Sequence, residues 1–565
     1  MCTSDDIITS AFTYHCKVQK RNKSCRAPGD HSKKSATSRA GYGDLLGTIF
    51  EALKMAVLLP LLVGLLVSLL GGLYLLGIFR KRRPNEPPLD KGFIPWVGHG
   101  LDFRKNGPEF LRRMQKKHGD IFTVQIVGYY FTFIMDPLSF SHVVKEAQSK
   151  LDFGLFAQEL VARVFGYHYL EIDHKMFKKA SRKHLMGDGL ILMMQAMMEN
   201  LHNLMLHNVG SRSDERKWHE DGLFNYSYNI VFRVGYLALF GNESAKKRGS
   251  TDLAKKHDRD HSEELFHEFR KYNYLFPRLA YAVPPPKDKI EAERLKRLFW
   301  NILSVKKIIE KENISGWISE QYQYRLENDV PEYMQDRFMF LLLWLSQGNT
   351  GPSCFWLLFY LMKHPEAMKA VVGEVQKIIK ETGQEVKPGG PLLNLTRDML
   401  LLTPILDSAM EESLRLTTAP ILIRAVRENM NLKLSSGKEF VIRKGDRVAL
   451  FPYLTLQMDP EVHPEPEKFK YDRFLDEDGT KKSKFYKNGK RLKYFTMPWG
   501  AGTSMCPGRF FAMNVLKQFV FLLLAYFEVE LINPNEKIPA IDPNRWGFGS
   551  MHPTHDPQFR YRLRY

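Results

Sequence analysis

From Met55 to Phe79 the chain carries 25 consecutive residues without a charge, rich in Leu and Val. As a helix the run rises about 37 Å, enough to cross a hydrocarbon core of about 30 Å. A segment of this kind divides the chain before anything else is decided. A cleaved signal peptide is the alternative, but its apolar core is normally about 7 to 15 residues, and no small-residue cleavage site follows Phe79. The run is therefore predicted to be a spanning anchor. Arg80, Lys81, Arg82 and Arg83 follow at once, which by the positive-inside rule places the large C-terminal body in the cytosol, although residues 1–54 are also basic. Pro84, Pro87, Pro88 and Pro95 then fix φ and withhold backbone donors, so residues 80–98 read as a basic, proline-rich hinge. The expected layout is a disordered basic extension over 1–54, the anchor over 55–79, the hinge over 80–98 and one body over 99–565.

With 44% apolar and 26% charged residues, the body has the means for a sizeable core. At 565 residues the chain could hold several domains or one large unit around a cofactor. A formal charge of +19 suits nucleic acid, an anionic membrane or an acidic partner, and does not choose among them. The five cysteines, at 2, 16, 25, 354 and 506, form no Cys-x-x-Cys pair, so the body reads as disulfide-free. Two strands are expected at Ile121–Val127 and Tyr130–Met135, joined at Gly128-Tyr129. Helices follow to about residue 420, then short strands at Leu432–Leu434 and Phe440–Ile442. Leu275-Phe276-Pro277 and Leu279-Ala280-Tyr281 read as an apolar loop, either dipping into the membrane or buried. No repeat at solenoid periods is present.

The densest chemical signal is Trp499-Gly500-Ala501-Gly502-Thr503-Ser504-Met505-Cys506-Pro507-Gly508-Arg509-Phe510. A cysteine that binds a metal as thiolate needs an electropositive, tightly turned setting. Gly502 and Gly508 allow left-handed or close backbone geometry around the sulfur. Pro507 has no N–H, so donors must come from beyond it. Arg509 to Tyr526 reads as a long apolar helix whose positive end faces the sulfur. Taken alone, Cys506 would read as an inert buried thiol.

Upstream, Glu412 and Arg415 share one helix face, and Arg473 lies between them and Cys506 in the sequence. The three are predicted to form a buried Glu-Arg-Arg lock behind the cysteine loop, structural and not chemical, since a carboxylate between two guanidiniums is tolerable only when fully hydrogen-bonded. Between Phe338 and Leu361 an apolar helix is interrupted by Ser346-Gln347-Gly348-Asn349-Thr350-Gly351-Pro352. Freed carbonyls and the Asn349 amide there can hold water beside a ligand, so a kink for proton delivery is expected; a packing defect in a core helix is the plainer reading.

These elements in this order resemble the cytochrome P-450 superfamily, whose pattern is Phe-x-x-Gly-x-Arg/His-x-Cys-x-Gly. Here the positions are Trp499, Gly502, Ser504, Cys506 and Gly508, with Trp for Phe and Ser for the basic residue. The resemblance implies a mainly α fold with small β-sheets and one N-terminal transmembrane helix. It also implies haem b with Cys506 as axial ligand to the iron, and Arg424 on a haem propionate. The superfamily's Trp and Arg of the third helix are not evident around His174 to Lys183. Asn349 or Thr350 takes the place of the usual acid-Thr pair, and no carboxylate is offered there.

Within the superfamily, Gln347 to Pro352, Pro88 to Gly92, Met135 to Phe140, Lys150 to Gly154, Met458-Asp459-Pro460 and Arg545 to Gly549 resemble the subgroup of sterol 12α-hydroxylases, with prostacyclin synthases as a sister group. This implies 12α-hydroxylation of 7α-hydroxycholest-4-en-3-one in bile-acid synthesis, with O₂ and with electrons from NADPH through a membrane reductase. The expected setting is the endoplasmic reticulum membrane, with the lipid bilayer and the reductase as partners and no nucleic acid. By position in the family, Trp344, Thr417, Thr418, Trp546, Gly547 and Phe548 are expected in the substrate pocket. An endoperoxide isomerase and a non-catalytic membrane haem protein remain as alternatives.

Overall fold

The computed structural model describes residues 58–74, 79–170, 173–207, 217–281, 284–387 and 389–564. It divides into two compact units, Met1–Gly72 and Leu73–Tyr565. In the first, the described residues lie in the helix Leu58–Tyr74, about 25 Å long at 1.5 Å per residue. Its leucines are bare on every side, Leu61 and Leu65 being 66% and 69% exposed. A helix apolar all round needs an apolar surrounding. The extension 1–54 and both ends of the expected span, 55–57 and 75–78, lie outside the described residues.

Among its described residues the second unit is mainly helical with four small sheets, one of them the pair β10 (Tyr486–Lys487) and β11 (Lys490–Arg491). The largest has the strand order β1-β2-β3-β9-β6-β4, formed by β1 (Leu89–Asp90), β2 (Ile121–Ile126), β3 (Tyr129–Ile134), β4 (Leu151–Asp152), β6 (Leu422–Val426) and β9 (Arg447–Leu450). The expected hairpin is present, one residue earlier at its turn. Ile126 pairs with Tyr129, so Val127 (φ 46°) and Gly128 (φ 79°) are the two left-handed turn residues that a two-residue hairpin needs. The other expected pair is β7 (Met430–Lys433) with β8 (Glu439–Ile442), beginning slightly ahead of the predicted positions.

Residues 80–90 are fastened to this unit. β1 follows Pro87 and Pro88 and lies at the sheet edge, where nearby prolines are tolerated. Arg80 makes a double ion pair with Asp446 at 2.5 and 2.6 Å, and Arg443 another with Glu86 at 2.5 and 2.7 Å. The helical stretch expected to residue 420 is interrupted by β4 and by β5 (His219–Gly222), which joins β12 (Phe527–Leu531) and β13 (Gln558–Leu563). β5 reads His-Glu-Asp-Gly and is mostly exposed, so no apolar alternation announces it.

The apolar loop expected at Leu275–Tyr281 is instead, through Ala280, the end of a 30-residue helix, Thr251–Ala280, with Leu275, Phe276, Pro277, Leu279 and Ala280 all buried. Pro277 carries no N–H, so the Asn273 carbonyl four residues earlier loses its helical partner. Arg545 Nη2 fills the gap, donating to that oxygen at 2.5 Å. Helix Arg509–Tyr526 is long and apolar enough to cross a membrane, but it is largely buried. It packs with helices Leu223–Phe240 and Thr350–Lys363 in the largest core cluster.

One ion pair crosses this core. Arg325 Nη2 donates to Asp173 at 2.6 Å with both side chains fully buried. Tyr167 Oη and the Leu170 N–H complete the carboxylate's shell at 2.6 and 2.8 Å. Removing one partner from such a pair strands the other charge, whereas removing both does not. Asp173→Ala is therefore expected to lose about 3 to 5 kcal/mol of stability in urea unfolding, and Asp173→Ala combined with Arg325→Met to recover part of that loss.

Candidate active site

The loop before helix Arg509–Tyr526 is shaped by two left-handed glycines, Gly500 (φ 73°) and Gly502 (φ 62°). At Gly502 a Cβ would also come within 2.6 Å of Val144 Cγ1, so no larger residue fits. Of the two geometries expected at Gly508 the left-handed one is absent: its φ is −87°, and a Cβ there would meet no protein atom within 4 Å. It is therefore the smallness of Gly508 on the open side of the loop, and not its backbone angle, that suits a close-lying planar group. The Cys506 N–H donates to the Trp499 carbonyl at 2.8 Å, and Arg509 Nη1 donates to the Cys506 carbonyl at 3.1 Å.

Cys506 is only partly buried by its own chain. Burial raises its thiol on balance, against the backbone N–H groups of Gly508 and Arg509 and the Arg509 charge, which pull it down. These are the donors that Pro507 cannot supply, now found one and two residues later, at a helix N-terminus. The other free thiol among the described residues, Cys354, is fully buried and pushed well up by burial with nothing opposing it. Burial prevails at both thiols, but only Cys506 has N–H donors and a cation opposing it.

Behind the loop the three lock residues meet. Arg415 grips Glu412 with Nε at 2.7 Å and Nη2 at 2.9 Å. Arg473 Nε lies 2.9 Å from both carboxylate oxygens, and the Lys470 N–H adds a donor at 3.1 Å. The remaining guanidinium N–H groups go to the carbonyls of Gln457, Pro464, Glu465 and Lys468. The lock thus ties helix Pro404–Thr417 to the 457–473 meander. In the same meander His463 Nε2–H donates to the Phe495 carbonyl at 2.8 Å, four residues ahead of Trp499. Burial holds that imidazole down at about 3, which keeps it neutral.

Arg424 on β6 is 8% exposed. Its hydrogen bond runs to the Ile423 carbonyl at 2.9 Å, and burial lowers its pKa. No carboxylate among the described residues bonds to it. On helix Asp173–His184, His174 and Lys178 are likewise held down, chiefly by burial. Asp152, which opposes the burial of both Arg424 and His174, is itself engaged by the Gly154 N–H and Arg427. Three half-buried or buried bases without a bonded acid suit the two carboxylates of a haem. His174 and Lys178 escaped the sequence analysis because Trp and Arg were sought there.

On the opposite side the expected kink is present. Helix Glu332–Gln347 stops, Gly348 and Asn349 intervene, and helix Thr350–Lys363 starts. Thr350 Oγ1 donates to the Ser346 carbonyl at 2.9 Å, so its proton is committed. Asn349 Oδ1 accepts from the Ser550 N–H at 3.0 Å, while its Nδ2 makes no hydrogen bond among the described residues. Residues 417–421 run beside 547–551, joined by Ala419 N–H to Gly549 O at 2.9 Å and Gly547 N–H to Ala419 O at 3.0 Å. The hydroxyls of Thr417 and Thr418 are spent on the carbonyls of Ser413 and Leu414.

Of the expected pocket aromatics, Trp344 stacks on Phe276 with centroids 4.1 Å apart, and Phe548 meets Phe276 edge-on at 5.2 Å. Tyr281 closes on Phe548 at 5.2 Å. The Trp546 ring is not in this wall, since it packs on Phe451 and Tyr453 in a different cluster. Phe276 and Tyr281 were missed as wall residues because their segment was read as a loop. Glu412→Ala should leave two buried guanidiniums unpaired, costing about 3 to 5 kcal/mol. Its measured signature is a lower urea midpoint together with a smaller fraction of purified protein carrying haem.

The sequence model of the cytochrome P450 family matches residues 87–559. The human protein named 7-alpha-hydroxycholest-4-en-3-one 12-alpha-hydroxylase is 50% identical over 504 residues, covering 89% of this chain and 98% of that protein. Human prostacyclin synthase is 44% identical over 486 residues, covering 86% and 95%. Among solved structures, retinoic acid-bound cyanobacterial CYP120A1 is similar with a TM-score of 0.63 at 20% identity, over 85% of this chain and 100% of that one. With the family pattern spanning almost the whole second unit, and with relatives of this similarity over nearly full length, the chain belongs to the cytochrome P450 family of haem-dependent monooxygenases.

Proposed function

We propose that this chain is a membrane-anchored sterol 12α-hydroxylase acting on 7α-hydroxycholest-4-en-3-one. The observation that carries the reading is the 50% identity kept over 98% of the human protein of that name. The aromatic wall of Trp344, Phe276 and Phe548 supports it, because a neutral, rigid sterol is held by apolar surface and shape. Residues 55–79 serve as the anchor, 1–54 as an extension and 80–98 as the connection to the 99–565 body. On this reading the body faces the cytosol at the endoplasmic reticulum, where an NADPH-dependent membrane reductase supplies electrons.

Haem, when bound, supplies iron for dioxygen activation. The chain's own residues do the rest. Cys506 donates its sulfur as thiolate, held by the N–H groups of Gly508 and Arg509. Arg424, His174 and Lys178 hold the propionates. At the helix break, Asn349 Nδ2 is the N–H donor left available to orient a water beside dioxygen, while Thr350 fixes the break through Ser346. Trp344, Phe276 and Phe548 orient the sterol and exclude water.

The full chain, reconstituted with reductase and NADPH in phospholipid vesicles, is expected to convert the sterol to its 12α-hydroxy product, identified by mass spectrometry against a standard. Recovery of unchanged sterol, with a prostaglandin endoperoxide rearranged in the absence of NADPH, would sink the reading in favour of the isomerase chemistry that the 44% identical relative's name suggests. Tight haem binding with neither conversion would point to a non-catalytic role. Cys506→Ser should abolish product and remove the thiolate-specific absorption band of the reduced carbon monoxide complex.

A further inference from the structure

Two breaks in helical bonding border the candidate site. Pro277, inside helix Thr251–Ala280, removes the N–H that would have reached the Asn273 carbonyl. At the end of helix Glu332–Gln347 the carbonyls of Gln347 and Gly348 face the break, with Pro352 in the first turn of the next helix offering no N–H back to Gly348. These oxygens are taken up by side chains of a single buried network. Tyr228 Oη lies 3.2 Å from the Gln347 carbonyl and 3.3 Å from that of Gly348, a hydroxyl shared between the two oxygens at the helix break. Asn273 Nδ2 donates to Tyr228 Oη at 2.9 Å. Asn273 Oδ1 accepts from Trp344 Nε1 at 3.2 Å and from Arg545 Nη1 at 3.3 Å, and Arg545 Nη2 reaches the Asn273 carbonyl.

Tyr228, Asn273 and Arg545 are 0%, 1% and 4% exposed. Gly351 lets the Tyr228 ring lie against the helix, since a Cβ there would sit 1.8 Å from Tyr228 Cδ2. Burial lowers the Arg545 guanidinium to about 10, so it remains a charged donor at neutral pH. One end of the network therefore holds the break that carries Asn349. The other end holds the wall, because Trp344 is bonded to it directly and Arg545 precedes Phe548 by three residues.

We infer that Tyr228, Asn273 and Arg545 are positioning residues that couple substrate contact at the Trp344–Phe276–Phe548 wall to the geometry of the break at Gly348–Asn349. A sterol pressing on the wall shifts Asn273, and through Tyr228 it adjusts where the Asn349 amide stands. Dioxygen reduction is thereby kept in step with the presence of substrate. The inference rests on the monooxygenase reading given above.

The test uses full-length Tyr228→Phe and Asn273→Asp beside the unaltered protein, in vesicles with reductase, NADPH and 7α-hydroxycholest-4-en-3-one. The carbon monoxide band and the sterol dissociation constant, read from the spectral shift on titration, are expected to stay within about twofold of the unaltered protein. Product per NADPH consumed should fall about tenfold. The difference should be recovered as hydrogen peroxide, by NADPH + H⁺ + O₂ → NADP⁺ + H₂O₂. Hydrogen exchange in the peptide 345–354 should be faster in Tyr228→Phe, and in the unaltered protein it should change when sterol is added. An unchanged product-to-NADPH ratio in both variants overturns the inference, and so does a parallel loss of the carbon monoxide band and sterol affinity. If the unaltered protein hydroxylates no sterol, the functional reading fails by itself. The exchange measurement then decides, with unchanged protection at 345–354 in Tyr228→Phe overturning the network.

Discussion

The buried helix Arg509–Tyr526 joins two requirements that could conflict. Its sides are apolar almost all round, which makes it the centre of the largest cluster in the fold. Its N-terminal end offers backbone N–H groups that no helical partner can use, and the Cys506 sulfur lies against them. The helix cannot shift without disturbing the core, so the sulfur inherits the rigidity of the core. Gly502, pressed against Val144, fixes the loop on the other side. A ligand atom whose distance to a metal must be reproducible is thus placed by packing, which is stiff, and not by a surface loop, which is not.

Two buried carboxylates in this interior sit in closed sets. Glu412 between Arg415 and Arg473, and Asp173 between Arg325 and Tyr167, each satisfy the carboxylate and hand the spare guanidinium protons to backbone carbonyls. Such sets contribute little net stability compared with apolar packing of equal volume. What they provide is a single allowed arrangement of the segments they join. The bases around Arg424 lack a bonded acid of their own. Such a group suits the carboxylates of a cofactor.

Much of this was legible in the sequence, and the limits follow physical lines. The β2–β3 hairpin was readable because alternation and Gly128 are local signals. Glu412 and Arg415 were readable as a pair because three residues of helix bring them to one face. The cysteine loop was readable because proline and glycine beside a cysteine restrict the backbone. The C-terminal end of helix Thr251–Ala280 was misread because Pro277 signals a break, and only Arg545, 268 positions later, makes the proline tolerable. Tyr228 and Asn273 leave no mark in the sequence, as their partners lie on other helices. Gly508 left a left-handed and a close-approach reading open, because a residue name does not show its dihedral angle; its φ of −87° excludes the first. Trp546 and Phe548 were expected together by position in the family, but Gly547 between them has a positive φ of 92° that turns the backbone, and the two rings pack in different clusters.

The segment after the anchor has a practical meaning for anyone preparing a soluble form of this enzyme. Asp446 is buried, and burial raises its pKa against the pull of Arg80. Arg80 also lies over the Tyr130 ring at 3.9 Å. Trimming the chain at the first proline, a natural place to cut by composition, would delete Arg80 and leave that carboxylate facing an aromatic ring without its cation. Trimming just ahead of residue 80 would keep both. The start of the part that folds therefore lies several residues earlier than the change in amino-acid character suggests.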